Sequence, residues 1–310
     1  MSQEKFRLVT RSDFDGLVCA VLLNELELID DIKFVHPKDM QDGKIEITAR
    51  DICTNLPYVA AAHLSFDHHL SETIRNTGER KNHIIDPKAP SAARVVYDYY
   101  GGKKAFPTIT EEMMDAVDKA DSAQFSSDEI INPTGWVLLN YLMDARTGLG
   151  RFREFRISNY TLMMDLIKYC RNHNIDEILA LPDVKERVDL YFDQKQKAGE
   201  QIQRCATVHK NLVVLDLRSE ETIWAANRFL IYALFPETNI SIHVMWGVQK
   251  QNTVFATGKS ILDRSSKTNV GELMLQYGGG GHHAAGTCQV ENDQAECTLQ
   301  ALITRINADG

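Results

Sequence analysis

Over its first hundred residues the chain alternates short β-like runs with helical stretches, the pattern of a parallel α/β sheet. Residues 6–10 read as a strand and 17–29 as a largely apolar helix, with 33–36 and 45–48 as the next strand candidates. Residues 62–66 are a weaker strand, and after Ile84-Ile85 the pair Pro90-Ser91 caps a helix over 92–100. Open parallel sheets bind ligands at the carboxyl ends of their strands. Here Asp13 and Asp15 follow the first run, Asp51 follows 45–48, and Asp67-His68-His69 follows 62–66. This allows three strand ends to converge on one site.

A chain of 310 residues with 44% hydrophobic content can bury a full core and is long enough for two ordinary domains. Residues 110–169 are mainly helical by pattern, the charged stretch 182–205 suits a helical connector, and 212–217 opens a second β-rich part. The expected architecture is α/β: an N-terminal parallel-sheet domain over 1–184, a helical linker over 185–208, and a smaller C-terminal α/β domain over 209–310, with an active-site cleft between the two. No run approaches the roughly 20 apolar residues that cross a bilayer, and Met1 to Lys5 lack a signal-peptide pattern, so no membrane association and a cytoplasmic location are expected. The six cysteines form no Cys-x-x-Cys pair and are read as reduced, mostly buried thiols. A net charge of −9 argues against binding long duplex nucleic acid, which needs a basic surface, but leaves room for a short anionic substrate. Carboxylates gathered around divalent cations would add to that negative count, as would a merely acidic surface.

Three motifs carry chemistry. Asp13-x-Asp15-Gly16 is either a capped turn or a pair of carboxylates for a cation. Asp67-His68-His69 is a poor sheet former and a poor turn former, and its residue types suit Mn²⁺ and related ions, with the aspartate able to orient a ring. In Gly278-Gly279-Gly280-Gly281-His282-His283, the glycines leave backbone N–H groups open to phosphate oxygens, and His282 would donate a hydrogen bond or a proton.

With Asp51 and an aspartate near 121, these motifs resemble the DHH phosphoesterase superfamily, in the branch that carries a C-terminal DHHA1 domain. The resemblance implies a hydrolase using Mn²⁺ or Mg²⁺, one or two ions. It implies that Asp15, Asp51, His68 and Asp121 ligate one metal, that Asp13 and a bridging Asp51 ligate a second, and that His69 sits beside the attacking water. Asp118, one turn before Asp121, can exchange roles with it. The sequence departs from the family before Asp13, where Val9 and Arg11 stand in place of a usual ligand. The second metal is then held by fewer groups, recruited with substrate, or absent. Arg11 either pairs with substrate phosphate or with a neighbouring carboxylate, or points to solvent.

The same resemblance implies a catalytic group of Asp67, His69 and His282. Further phosphate contacts are expected from Arg228, Ser260, Arg264, Gly279, Gly280, Gly281, His282 and His283, with Arg228 placed on a helix. Two substrates fit: very short RNA such as 5′-phosphorylated dinucleotides, the preferred reading, and polyphosphate. A nucleotide-binding regulator with weakened chemistry is the third reading, and a homodimer is allowed. Tyr277, Phe255 or Trp224 would stack a base.

Overall fold

The computed structural model describes residues 4–69, 72–73, 78 and 80–310. It divides into two compact units: residues 1–124, 134–145 and 149–189 form the first, and 125–133, 146–148 and 190–310 the second. The boundary falls inside the long helix Pro182–Cys205. Two short segments before that helix belong to the second unit for local reasons. The Asn227 amide donates to the Ile130 carbonyl, Ala226 N–H donates to the Thr147 carbonyl, and Phe125 packs near Phe229.

The first unit is built on five strands, β1 (Phe6–Thr10), β2 (Ile29–Phe34), β3 (Asp51–Thr54), β4 (Leu64–Asp67) and β5 (His83–Ile85), all parallel in the order β2-β1-β3-β4-β5. The helix Phe14–Glu25 is apolar on every side and buries its residues 14–23, as a helix inside a core must. It begins three residues earlier than the apolar run implies because Asp13 caps it, and it ends at Glu25, where the chain turns through Glu27 at φ 54° into β2. Gly16 is obligatory in this turn: a Cβ there would lie 2.0 Å from the Arg11 carbonyl oxygen.

The third strand differs from expectation. Residues 45–48 alternate apolar and polar side chains, yet they form no strand; Ile45 and Ile47 join a side cluster with Val9, Val35, Cys53 and Leu56. The strand starts at Asp51, paired Arg7 to Asp51 through Thr10 to Thr54, and all four of its residues are buried. A strand covered on both faces reads as an unbroken buried run, which hides its position from a test based on alternation.

The second unit carries six strands, β6 (Ala206–His209), β7 (Leu212–Asp216), β8 (Ile240–Trp246), β9 (Thr253–Lys259), β10 (Gly280–His282) and β11 (Ala285–Val290), in the order β10-β11-β9-β8-β7-β6. Only the β7–β8 pair is parallel. Helices Val270–Leu275 and Ala295–Asp309 contribute Leu273, Met274, Leu299 and Leu302 to the core beside Ile242, Val244 and Phe255. Among the described residues no helix is long and apolar enough to cross a membrane.

The glycine run is not an open loop. Gly281 pairs with Gly286 in the β10–β11 hairpin, and Gly279 N–H donates to the Met274 carbonyl. A Cβ on Gly279 would lie 2.2 Å from the Thr287 carbonyl oxygen, whereas one on Gly280 would meet nothing within 4 Å. Gly279→Ala is therefore expected to destabilise this unit by about 1–3 kcal/mol, and Gly280→Ala far less, as read by thermal unfolding of the two variants.

Candidate metal centre

At the carboxyl end of the parallel sheet, ligand atoms from Asp15, His68 and Asp121 lie within 4.8 Å of one another. Three elements deliver them. Asp15 sits in the first turn of the helix after β1, His68 directly follows β4, and Asp121 ends the helix Glu111–Asp121. Asp15 is 2% exposed and accepts N–H bonds from Ala92 and Ala93, at 3.0 and 2.7 Å, at the start of the helix Ala92–Tyr99. Burial, and next the neighbouring Asp121 charge, nevertheless push its carboxyl well above the ordinary carboxylate range.

His68 Nδ1 lies 3.3 Å from the Ala89 carbonyl, a contact that fixes the ring and turns Nε2 toward the carboxylates. Nε2 lies 2.9 Å from Asp121 Oδ2 but is misaligned for a hydrogen bond, so this buried nitrogen has no properly directed partner. Burial alone would lower the His68 pKa, but the contact with Asp121 and the charges of Asp121, Asp15 and Asp67 outweigh it and hold it at about 9. Two crowded carboxylates and an imidazole nitrogen beside them fit one divalent cation. Asp118 takes no part: its carboxylate is held by Ser91 Oγ at 2.6 Å and by Arg94.

Asp67 is 1% exposed, and its Oδ1 accepts from His68 N–H, His69 N–H and His69 Nδ1, the last at 2.7 Å. It therefore orients His69, whose side chain is 44% exposed and presents Nε2 on the ring edge opposite Asp67.

Asp51 is not at this centre. It stands at the amino end of β3, opposite Arg7, and pairs with Arg7 Nε at 2.6 Å while accepting Thr48 N–H at 2.7 Å. The residue that β3 delivers to the carboxyl end is Asn55, which sequence reasoning missed. Asn55 is 2% exposed with φ 54°, and its amide donates to Asp13 Oδ1 at 3.2 Å. Asp13 also accepts Gly16 N–H at 3.0 Å as the helix cap and pairs with Arg11 Nε at 2.9 Å. Val9 is fully buried in the side cluster.

In the second unit His282 ends β10 and His283 stands in the turn of the β10–β11 hairpin; both are exposed. Lys259 Nζ lies 3.4 Å from both His283 ring nitrogens and donates to the Ser266 carbonyl; burial lowers its pKa. Arg264 is exposed, with Nε 3.3 Å from the Ile261 carbonyl. Ser260 is 3% exposed, and its oxygen accepts N–H bonds from Leu262 and Asp263, so it holds the turn beneath Arg264. Arg228 lies in a turn before the helix Leu230–Leu234, not on a helix, with its guanidinium 4.3 Å from the Phe229 ring centre. Phe255 is fully buried in the core and is no stacking platform, while Tyr277 and Trp224 are half-buried.

A parallel sheet whose strand ends gather two aspartates and a histidine is suited to hold a divalent cation, the requirement of metal-dependent phosphoester chemistry. No protein-family model and no curated protein matches the chain. Among solved structures, it is similar to the pGpG-specific phosphodiesterase PggH from Vibrio cholerae, with 68% identity over 99% of this chain and 100% of that one and a TM-score of 0.90. The chain belongs to the DHH/DHHA1 phosphoesterase superfamily. CDC45 from Entamoeba histolytica, 8% identical over 98% of this chain and 95% of its own with a TM-score of 0.51, shares the fold alone.

Proposed function

We propose that the chain hydrolyses 5′-phosphorylated linear dinucleotides, pGpG in the first place, to mononucleotides, with a divalent ion, Mn²⁺ by preference, on Asp15, His68 and Asp121. The observation that carries this reading is full-length identity of 68% to a pGpG-specific phosphodiesterase. The net charge of −9 is compatible with so short a polyanion, which needs only a few local cations.

A divalent ion, when bound, neutralises charge on the phosphate oxygens and lowers the pKa of water. The chain's own groups do the rest. Asp67 holds the His69 ring so that Nε2 can donate to a phosphate oxygen or to the departing 3′ oxygen. The Ala92 and Ala93 amides keep Asp15 from turning away from its position. In the second unit Lys259, Arg264, His282 and His283 are the groups proposed to take the substrate's phosphates.

The test is a Mn²⁺ assay of purified protein against pGpG, other 5′-phosphorylated dinucleotides, a longer RNA and polyphosphate. Mononucleotide release from pGpG, with little from the longer RNA, is the expected result. Phosphate release from polyphosphate alone would overturn the reading, and inactivity on all four would leave a binding protein.

A further inference from the structure

We infer that the centre holds one divalent ion, on Asp15, His68 and Asp121, and that the Arg11 guanidinium, fixed by Asp13 and Asn55, supplies the second positive charge to the substrate phosphate. The inference rests on the centre being a metal site, and not on the identity of the substrate.

Asp13 and Asp15 are two residues apart but have different surroundings. Asp15 faces Asp121 and His68. Gly16 N–H and the Asn55 amide donate to Asp13 Oδ1, and Arg11 Nε lies 2.9 Å from Oδ2 in an ion pair. A cation at Asp13 would have to displace the Arg11 contact and meet the hydrogens of the other two donors. The Asn55 amide orientation follows from the same contact, because the opposite orientation would set its oxygen against a carboxylate oxygen. Asn55 is buried and held in place by its N–H bond to the Phe66 carbonyl at 3.1 Å. It directly follows Thr54, which pairs with Thr10 at the end of β1.

The charges lead to the same conclusion. Asp15 and Asp121 carry two negative charges, which one divalent ion balances with His68 neutral, whereas Asp13 is already balanced by Arg11. Arg11 directly follows β1, its side chain is 36% exposed, and its terminal nitrogens remain able to donate to an anion while Nε binds Asp13. Asp13 and Asn55 are thus positioning residues for Arg11, and Arg11 is the group that touches substrate.

The experiment is Mn²⁺ titration of chelator-stripped protein, read as metal per chain and as the electron paramagnetic resonance spectrum. Wild type, Arg11→Ala, Arg11→Lys and the double variant Arg11→Asp/Asn55→Asp would be compared. Wild type should saturate at one Mn²⁺ per chain with the spectrum of an isolated ion. Arg11→Ala should keep that ion and spectrum while kcat falls about 100-fold, and Arg11→Lys should recover part of the loss. The double variant, with carboxylates in place of the guanidinium and the amide, should take up a second ion. Two ions per chain with an exchange-coupled spectrum in wild type would overturn the one-ion centre. Unchanged kcat in Arg11→Ala would overturn the role of Arg11. Metal count and spectrum are read without substrate, so they stand apart from any failure of the pGpG assignment.

Discussion

His68→Ala should lose tight Mn²⁺ binding and at least about 10³-fold of turnover, while Asp51→Asn should keep both. The first half follows from the geometry of the centre. His68 Nε2 is the nitrogen set among two carboxylates, and its ring is pinned through Nδ1 near the Ala89 carbonyl. Removing it leaves buried Asp15 and the more exposed Asp121 to repel each other, so the cation binds to a poorer and more mobile pair. Metal-derived charge stabilisation is worth several kcal/mol in a transition state, which corresponds to three or more powers of ten in rate. The second half separates two accounts of the site. If Asp51 bridged metals, its substitution would be as damaging as that of His68. In the structure its carboxylate instead binds Arg7 and the Thr48 amide at the opposite end of β3. Asp51→Asn should therefore cost stability, roughly 1–3 kcal/mol, by weakening a charge-assisted pair. Isothermal titration with Mn²⁺, steady-state turnover and thermal unfolding of both variants decide the matter. Loss of metal binding in Asp51→Asn would show the site to be drawn wrongly.

Asp51, at the amino end of β3, marks how far a local sequence pattern can be read. Asp67-His68-His69 was legible because those residues have no good structural use after an apolar strand, and Asp13-x-Asp15-Gly16 because the glycine marks a tight turn. In the latter motif Asp13 caps the helix, and the Asp15 carboxylate lies near His68 and Asp121. The choice between Asp118 and Asp121 was not legible, because it depends on Ser91 and Arg94, over twenty residues earlier, having already engaged Asp118. Asn55 was invisible for a different reason. A polar residue at the end of a doubly covered strand is recognised only once the strand's register is known, and the alternating residues 45–48 offered a more regular false strand. In the glycine run, free backbone and close-packed backbone demand the same residue, and the approaches of Thr287 to Gly279 and of Ala285 to Gly281 mark those two positions as packed. A test based on local pattern finds unusual residues, but it cannot decide which of two neighbours a distant side chain will occupy.

Metal-free protein is expected to lose stability as pH rises from about 6.5 to 9, and Mn²⁺ should reverse that trend. The His68 pKa lies at about 9 in the folded chain, above its ordinary value of 6.5, because neighbouring carboxylates outweigh burial. The folded state therefore holds this proton more tightly than the unfolded state, and stability must fall with pH across the interval between the two values. The contribution is fully present below pH 6.5 and lost as pH rises through 9. Asp15, raised by burial and by Asp121, slopes the same way, so the carboxylate does not cancel the imidazole. His83 and His243 are lowered by burial, the latter to about 4; they lose their stabilising effect on the acid side of 6.5 and do not oppose the slope above it. The buried thiols Cys53 and Cys170, raised to about 12, add their effect mainly above pH 9, where the unfolded thiols ionise. Over the interval His68 is worth on the order of 1–3 kcal/mol. A cation requires the imidazole neutral, so proton and metal compete, and binding strengthens as the proton leaves. At a free concentration 100 times Kd the ion restores about 2.7 kcal/mol. Thermal unfolding in chelator at pH 6.5, 7.5 and 9, repeated with Mn²⁺, should show midpoints that fall with pH in the first series and the largest metal-induced rise at pH 9. In His68→Ala the slope in chelator should flatten. A wild-type midpoint in chelator that stays level or climbs between pH 6.5 and 9 would mean that His68 does not hold its proton among those carboxylates.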